Sequence, residues 1–215
     1  MIEIGTISKE LGVPPKLLIE NELDWEHLPH LHSSVFRDIR LLKTIRAGWS
    51  AVVTFADDSE ATLEVILDDD RLGWSQTTSI GGETVGRTIT RLTPLKPELT
   101  RISITFTVPN LAGQDIVALA DFYQNLYSGL LEEDERKVLA RAAALKAGPK
   151  GRRLLRCVTL DDGTEHEIPV TCPHRGLPLN TTPNENGIIT CPWHGYAFDV
   201  RTGHCVSGQI GGWRR

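Results

Sequence analysis

Apolar and polar positions alternate with a period of two over two stretches of the chain, residues 49–55 and 102–108. Every second side chain in each stretch is a large or branched apolar group or alanine, and mostly Ser and Thr lie between them. Such a period predicts β-strands with one face in a core. Between the two stretches, turns are predicted at hairpin spacing by Asp-Asp at 57–58, three Asp at 68–70 and Gly-Gly at 81–82. The pattern therefore indicates an antiparallel meander.

After Pro109 the apolar positions follow a helical period, which predicts a helix to about Leu145, with a break at Ser128-Gly129 left open. The stretch before about His32 reads as helical or mixed. Residues 147–151 are rich in Gly and Pro and predict a linker. We therefore expect three parts: a domain over residues 1–146, the linker 147–151 and a smaller domain over 152–215.

Sheet strands followed by a long closing helix predict an α+β fold, in which a curved antiparallel sheet wraps on the C-terminal helix. This order resembles the helix-grip (START-like, SRPBCC) fold. The resemblance implies a hollow between sheet and helix that takes apolar ligands. Its walls are expected from the inward faces of residues 49–55, 74–80 and 102–108, together with Tyr123 and Tyr127.

Composition narrows the class of protein. The 215 residues are 40% hydrophobic and 24% charged, which is typical of a globular protein with one mid-sized and one small domain. The net charge of −5, with no basic patch interleaved with aromatic residues, predicts no binding to nucleic acid. We also expect no membrane span and no secretory signal, because the chain has no long apolar run and no basic segment before an apolar stretch at its start.

Two short loops near the C-terminus carry the strongest chemical signal. Residues 172–176 read C-P-H-R-G and residues 191–195 read C-P-W-H-G, so each loop offers one Cys and one His. A Rieske [2Fe–2S] cluster holds one iron by two thiolates and the other by two imidazoles. Structural zinc sites also use Cys and His, but their spacings keep the two Cys together and the two His together. The alternation therefore favours the two-iron cluster, with Cys172, His174, Cys191 and His194 as its ligands.

From Cys157 to Gly208 the chain resembles the Rieske domain of the ring-hydroxylating oxygenases and their ferredoxins, including the run F-D-V-R-T-G at 198–203. The Rieske proteins of respiratory complexes carry an extra Cys in each loop and a hydroxyl pair on the second loop. In this chain those places are taken by Leu177, Trp193, Tyr196 and Phe198. Without a bridging disulfide and with fewer hydrogen bonds to sulfur, the potential is expected near the low end of the range of about −150 to +300 mV. The remaining Cys157 and Cys205 are predicted to be inert packing residues, and so few cysteines favour a reducing cytoplasm.

A second group of potential ligands lies near the N-terminus. Asp24, His27 and His32 have the spacing D-x-x-H-x-x-x-x-H. Histidines five apart diverge by about 140° on a regular helix, but Pro29 between them bends or ends the helix, so that the two imidazoles converge. Solvated or core histidines are the alternative, and His30 is able to replace His32 in a pair.

This spacing resembles the mononuclear-iron motif in the catalytic subunits of Rieske oxygenases. Such a site takes a third, carboxylate ligand to complete two His and one carboxylate. Asp134 is the best candidate, because it falls on the apolar stripe formed by Leu131, Val138, Ala142 and Leu145, whereas Glu132, Glu133, Arg136 and Lys137 are predicted to point elsewhere. Its segment also resembles the acidic stretch that supplies the Asp ligand of the family. The rivals are Asp121, on the opposite face, and Asp115, near the helix start and expected to cap it.

The resemblance implies a Rieske-type oxygenase that uses O₂ and external electrons to hydroxylate, dihydroxylate or dealkylate an apolar or aromatic small molecule. It implies that Asp24 bridges the two metal sites, accepting a hydrogen bond from a Rieske histidine of an adjacent subunit. The simpler role for Asp24 is to orient His27, and the two roles are compatible. The implied partners are an NAD(P)H-dependent reductase, with or without a ferredoxin, and further copies of the chain in a trimer. The order of the domains is the reverse of that in most family members, and the catalytic part is short.

Two other functions stay open at this point. The alternative is a Rieske ferredoxin-like electron-transfer protein fused to a non-catalytic, ligand-binding helix-grip module. The third hypothesis is a redox-responsive binding protein that does not turn over a substrate. The set of Asp24, His27, His32 and Asp134 weighs against both.

Overall fold

In a computed structural model, the described residues are 1–45, 47–110, 113, 115–151, 154–208 and 210–213. The chain divides into two compact units, Met1–Val138 and Leu139–Arg215. The first unit holds seven antiparallel strands in one sheet, with the order β1-β7-β6-β5-β4-β3-β2. Every neighbouring pair except β1 and β7 is a hairpin of consecutive strands, as the meander pattern predicts.

The strands of this sheet are β1 (Ile2–Leu11), β2 (Phe36–Ile45), β3 (Gly48–Phe55), β4 (Glu60–Leu67), β5 (Gly73–Ile80), β6 (Glu83–Lys96) and β7 (Leu99–Val108). Both stretches with a period of two are confirmed as strands. On β7 the side chains of Ile102, Ile104, Phe106 and Val108 are all buried. The Gly81-Gly82 turn has φ of 59° and 86°, a backbone that only glycine adopts readily. Alternate burial along β7 places one face of the sheet against a core.

The N-terminal stretch is mixed. It begins with β1, which pairs along its length with β7 and so joins the sheet at its edge. Three short helical segments follow: α1 (Pro15–Glu22), a 3₁₀ turn (Trp25–His27) and α2 (Leu28–Leu31). Of the predicted alternatives, helical or mixed, the structure shows the mixed one: the stretch begins with a strand, and the segment that carries the histidines is helical.

The long closing helix α3 spans Ile116–Gly151 and continues through Ser128-Gly129 without a break. Its backbone leaves helical geometry instead at Gly148, where φ is 60° and ψ is −159°. Leu131, Val138 and Ala142 are buried as the apolar stripe predicts, whereas Leu145 is exposed. Phe106 of β7 packs against both Tyr123 and Tyr127 of α3, with ring centroids 5.5 and 5.1 Å apart. The predicted α+β fold, with a sheet wrapped on a long helix, is confirmed.

The second unit is built from two small sheets. Strands β8 (Leu155–Thr159) and β9 (Glu165–Pro169) form one hairpin, and β10 (Ile188–Thr190) pairs with β11 (Ala197–Asp199) in the other. Its core consists of Val158, Leu160, Ile168, Cys172, Leu179, Ile189, Cys191, Phe198 and Val200. The predicted linker lies in the last turns of α3 around the Gly148 break, and residue 152, the predicted start of the second domain, lies outside the described residues. No helix in the described part of the chain is long and apolar enough to span a membrane.

Candidate metal centres

The two Cys/His loops of the second unit share one backbone design. In each loop the N–H of the Gly four residues after the Cys donates to the carbonyl of that Cys, at 2.8 Å for Gly176 and 3.0 Å for Gly195. In each loop the Cys N–H donates to the carbonyl of the residue that follows the Gly, which is Leu177 in the first loop and Tyr196 in the second. Both glycines have positive φ, 71° and 67°, which lets the chain close tightly behind the ligands. The loops differ in the position of the His, which comes two residues after the Cys in the first loop and three residues after it in the second.

This design brings two thiols and two imidazoles together. The rings of His174 and His194 lie 4.6 Å apart between centroids, with their planes nearly perpendicular. The hydrogen bond between the two thiols raises the pKa of Cys172 and lowers the pKa of Cys191, so the sulfurs lie close enough to share one proton. Cys172 and Cys191 are both buried. Two sulfurs and two imidazoles at such a spacing fit the ligand set of a Rieske cluster, in which iron replaces the shared proton.

Backbone amides supply hydrogen bonds to the sulfurs. The N–H groups of His174 and Arg175 point at the Cys172 sulfur, and the N–H of Trp193 points at the Cys191 sulfur. No disulfide exists among the described cysteines, all four of which are free. Trp193 directs its indole N–H to the carbonyl of Pro178 at 3.0 Å, and the Tyr196 ring lies 4.7 Å from His174. Aromatic side chains therefore flank the ligands of the second loop.

The remaining cysteines differ from the prediction in part. Cys205 is half-buried and packs against the core of the second unit, as expected. Cys157 is exposed on β8, so its prediction as a packing residue was wrong. One face of a two-stranded sheet is open to solvent, and Cys157 lies on the open face of the β8–β9 hairpin, next to the buried Val158.

The second group of histidines lies in the first unit, where a 3₁₀ turn meets α2. His27 ends the 3₁₀ turn and is the cap residue before α2, and Pro29 occupies the first turn of α2. The change of helix type at Leu28 supplies the bend that the spacing requires. His27 and His32 are both buried, whereas His30 is exposed. The open choice between His30 and His32 is thereby decided for His32.

Three ligand atoms converge at this point. The Nε2 atoms of His27 and His32 each lie 3.4 Å from Oδ1 of Asp134 on α3. Suitable donor atoms of all three residues lie within 4.8 Å of one another. Atoms bound to one ion at about 2.0–2.2 Å each have separations of this size. Asn21 donates from Nδ2 to the same Asp134 oxygen at 2.8 Å and so holds the carboxylate in place.

The outer nitrogen of each imidazole is held by an acceptor. The Nδ1 of His27 donates to the backbone carbonyl of Asp24, and the Nδ1 of His32 donates to Oε2 of Glu133 at 2.7 Å. Hydrogen bonds at Nδ1 leave the lone pair on Nε2, which is the usual arrangement for metal-binding histidines. Glu133 was predicted to point away from the site, so this contact is a correction. The helical wheel missed it because a long Glu side chain at the edge of the stripe reaches back to a neighbouring element.

Electrostatics favour the metal-binding forms of His27 and Asp134, whereas the carboxylates beside His32 favour its protonated form unless a cation takes the place of the proton. Burial and the nearby Lys137 cation lower the pKa of His27. For His32 burial opposes protonation, but the carboxylates of Asp134 and Glu133 outweigh it and raise the pKa. Burial likewise acts to raise the pKa of Asp134, yet the imidazoles of His27 and His32 beside it hold that pKa well below its ordinary range. Asp134 is therefore ionised beside two imidazoles, a set that suits a divalent cation.

Asp24 has a partner that the sequence did not reveal. Its carboxylate Oδ2 lies 2.8 Å from Nζ of Lys137, and both side chains are at least 96% buried. Lys137 was predicted to point elsewhere, so its burial is a second correction. The backbone carbonyl of Asp24 orients His27, while its carboxylate is paired with this cation. Lys137 lies one helical turn after Asp134, and so the pair stands beside the three ligand atoms.

The rival carboxylates lie elsewhere. Asp121 is exposed on α3, away from the histidines. Asp115 accepts a hydrogen bond from the N–H of Ala118 at 3.0 Å, which is the predicted helix cap. Among the described residues, the group of His, Cys, Asp and Glu with metal-binding geometry is His27, His32 and Asp134.

A cavity opens next to these three residues, between the sheet and α3. It encloses about 790 Å³ of atom-free space, part of which is open to solvent. Apolar walls predominate, and the predicted contributions from Trp49, Trp74, Ile102, Ile104 and Tyr127 are present. Tyr123 is absent from the described lining, contrary to expectation. Thr88 and Thr90 of β6 line the cavity although their strand gave no apolar signal.

Glu22 is a further acidic group at the cavity. Burial and the charge of Asp134 raise the pKa of Glu22 to about 8, although Lys137 acts in the opposite direction. The Glu22 carboxyl is therefore mostly protonated at neutral pH. It adds a neutral hydrogen-bonding group to the wall rather than a second carboxylate at the metal ligands.

Comparison with known proteins finds a domain family that matches the C-terminal part of the chain. Residues 135–210 match the family described as the Rieske [2Fe-2S] domain. Over 43 residues the chain is 42% identical to apoptosis-inducing factor 3 of Mus musculus and of Homo sapiens, a match that covers 20% of this chain and 7% of those proteins. The match thus spans less than a tenth of the length of these relatives. The C-terminal part of the chain is a Rieske domain, which implies a [2Fe–2S] cluster.

Solved structures are similar to about two thirds of this chain at low sequence identity. The XoxI protein of Bacillus cereus aligns with a TM-score of 0.49 and 11% identity, over 65% of this chain and 96% of that one. Norcoclaurine synthase of Thalictrum flavum, in complex with dopamine and hydroxybenzaldehyde, aligns with a TM-score of 0.47 and 14% identity, over 63% of this chain and 85% of that one.

Proposed function

We propose that the chain is a Rieske-type non-haem iron oxygenase, which uses O₂ and externally supplied electrons to hydroxylate, dihydroxylate or dealkylate an apolar or aromatic small molecule. The observation that carries this proposal is the convergence of three atoms with lone pairs beside an apolar cavity. Two imidazole Nε2 atoms lie 3.4 Å from one carboxylate oxygen, so a single cation between them would bind all three atoms. Two His and one carboxylate are the ligands of non-haem Fe(II) oxygenases.

In this proposal Cys172, His174, Cys191 and His194 hold the [2Fe–2S] cluster, and His27, His32 and Asp134 hold a mononuclear Fe(II). When bound, the cluster would supply electrons one at a time and the single iron would activate O₂.

The chain's own residues prepare the mononuclear site. The Asp24 carbonyl and the Glu133 carboxylate fix the two imidazoles with Nε2 facing Asp134, and Asn21 fixes the Asp134 carboxylate. The apolar cavity binds the substrate and limits water next to the reacting position. Asp24 is the proposed bridge to a Rieske histidine of an adjacent subunit.

The proposed oxygenase function includes an electron donor, an oligomeric state, a cellular location and a division into domains. The electrons come from an NAD(P)H-dependent reductase, with or without a ferredoxin. The chain assembles as a homo-oligomer, with a trimer favoured, and acts in the cytoplasm. The domains divide at the linker of residues 147–151.

A second function has one observation in its favour. The Asp24 carboxylate is buried and paired with Lys137 rather than presented to a partner. That arrangement suits an electron-transfer protein in which the Rieske domain exchanges electrons with other proteins and the first unit binds a ligand without turnover.

Iron and acid-labile sulfide per chain separate the two functions. In anaerobically purified protein we expect about three irons and two sulfides for the wild type, and about two of each for His27→Ala with the Rieske EPR signal intact. His30→Ala is the matched control, because it removes an exposed imidazole from the same segment and keeps about three irons. Two irons in the wild type would overturn the oxygenase and leave the electron carrier.

A further inference from the structure

One polar cluster in the cavity is not used by the metal ligands. Gln76 of β5 and Thr88 of β6 are directly paired across the two strands. Directly paired residues present their side chains on the same face of a sheet, and both of these line the cavity. Tyr127 reaches this pair from α3, and Gln76 donates from Nε2 to the Tyr127 hydroxyl oxygen at 3.1 Å. Thr88 also forms a side-chain hydrogen bond with this oxygen.

Tyr127 is a neutral donor in this setting. Burial raises the pKa of Tyr127 above its ordinary value, so the phenol keeps its proton throughout the physiological range. In the bond with Gln76 the phenol oxygen is the acceptor, and that bond does not use the phenol proton. The O–H of Tyr127 is therefore available to an oxygen atom of a ligand in the cavity.

The walls around this cluster are apolar and uncharged. They include Leu11, Trp49, Leu63, Trp74, Ile102 and Ile104. No Lys or Arg occurs among the described residues that line the cavity. An anionic ligand would lose its hydration there without gaining a cationic partner, and that loss is costly in an apolar site. The end of the cavity at Tyr127 thus favours a neutral, mostly apolar group over an anionic one.

The spacing on α3 sets the length of that molecule. Tyr127 and Asp134 are seven residues apart, which is two helical turns, so they lie on nearly the same face about 10 Å apart along the axis. Both line the same cavity. A ligand held at Tyr127 by one end therefore presents its other end towards the three convergent metal ligands.

We infer that the substrate is a neutral, largely apolar molecule about 10 Å long that carries a hydroxyl or carbonyl oxygen at the end remote from the oxidised position. That oxygen accepts a hydrogen bond from Tyr127, which Gln76 and Thr88 hold in place. That this molecule is a substrate rests on the proposed function, whereas the preference of the cavity for binding it rests on the cavity alone.

Equilibrium dialysis of the full-length holoprotein tests the inference, with naphthalene and 2-naphthol as probes of equal shape. We expect 2-naphthol to bind the wild type about tenfold more tightly, which is the usual net effect of one hydrogen bond in a buried site. Tyr127→Phe should reduce this preference to below about threefold, and Gln76→Leu combined with Tyr127→Phe should remove it, because the second donor is then lost as well. Naphthalene should bind all of these proteins alike.

Tyr123→Phe is the matched control. Tyr123 lies one turn before Tyr127 on α3 and stacks on its ring at 6.3 Å between centroids, but it is not part of the described lining. The same loss of one hydroxyl should leave the preference for 2-naphthol unchanged. Circular dichroism of each variant checks that the fold is kept.

Three results would overturn the inference. They are equal binding of the two probes to the wild type, a preference that persists in the double variant, and binding of naphthalene-2-sulfonate as tight as that of 2-naphthol. Dialysis needs no reductant and no turnover, so it is independent of the iron assay. If the protein holds two irons but prefers 2-naphthol in a way that depends on Tyr127, the inferred ligand class stands and the proposed oxygenase function is wrong. If it holds three irons and shows no such preference, the proposed oxygenase function stands and the inferred ligand class is wrong.

Discussion

Lys137 and Asp24 form an ion pair in which both charges are enclosed by protein. Removing one partner leaves the other charge buried and uncompensated, which costs about 3–5 kcal/mol in proteins. We therefore expect Lys137→Met to lower the free energy of unfolding of the first unit by an amount in that range. Denaturant titration followed by tryptophan fluorescence measures it.

Two further variants show whether the charge is the cause. Arg136→Met removes the neighbouring cation, whose side chain is exposed and lies 3.9 Å from Glu133, and should change the stability by less than about 0.5 kcal/mol. Lys137→Met combined with Asp24→Asn should recover part of the loss, because no charge is then left unpaired. Equal losses in Lys137→Met and in the double variant would show that packing of the lysine stem, not the ion pair, carries the effect.

Gly195 is a second position where one residue decides the local structure. Its φ of 67° closes the second Cys/His loop, and a side chain at such a φ costs about 1–2 kcal/mol. We expect Gly195→Ala to displace Cys191 and His194 and to lower the cluster content, measured by visible absorbance and EPR of the purified protein.

Gly163→Ala provides the comparison for this variant. Gly163 also has positive φ, 79°, and has open space around it in the β8–β9 turn, away from both loops. It should lose a similar amount of stability and keep a full cluster. Loss of the cluster in both variants would mean that general destabilisation, rather than the loop geometry, controls cluster content.

At the scale of elements, Phe106 joins the sheet to α3. Its ring is fully buried and packs on Tyr123 and Tyr127, which precede Asp134 on the same helix. Truncating a buried Phe costs about 3–5 kcal/mol. We expect Phe106→Ala to destabilise the first unit by that amount and to loosen the position of Asp134 relative to the histidines, which measured iron content would show as a loss.

Phe122 offers the matched substitution on α3, because its ring is exposed to 59%. Phe122→Ala should change the unfolding free energy by less than about 0.5 kcal/mol and leave the iron content as in the wild type. An equally mild effect of Phe106→Ala would argue that other contacts, such as the Lys9–Glu135 ion pair, hold the helix on the sheet.

At the scale of the whole molecule, the redox potential depends on what surrounds the cluster. Backbone amides donate to both sulfurs, but the described cysteines form no disulfide. By the resemblance stated above, Trp193 and Tyr196 are expected at the places of hydroxyl donors. Fewer donors stabilise the reduced cluster less. We expect a midpoint near the low end of the range of about −150 to +300 mV, measured by a redox titration. A strongly positive midpoint would contradict this expectation.

The pattern of apolar and polar positions was sufficient to predict the elements whose signal lies within their own residues. β3, β7 and α3 were predicted because alternation or helical spacing runs through each of them. β1 was missed: it is an edge strand with only two buried side chains, Ile4 and Leu11, and its partner β7 lies about a hundred residues away. An edge strand needs little apolar surface, so its sequence resembles that of an exposed segment.

The sequence by itself determined the chemistry that short spacings encode. Ligand type and local spacing are covalent properties of the chain, and they limit the metals that these residues are able to bind. This holds for the two loops with Cys and His at fixed offsets and for the two histidines on either side of Pro29. The tertiary structure alone decided which partners complete each site. Glu133 on His32, Lys137 on Asp24, and Gln76 and Thr88 around Tyr127 are contacts between elements far apart in sequence. Packing of the sheet on α3 brings them together, and no local period records that packing.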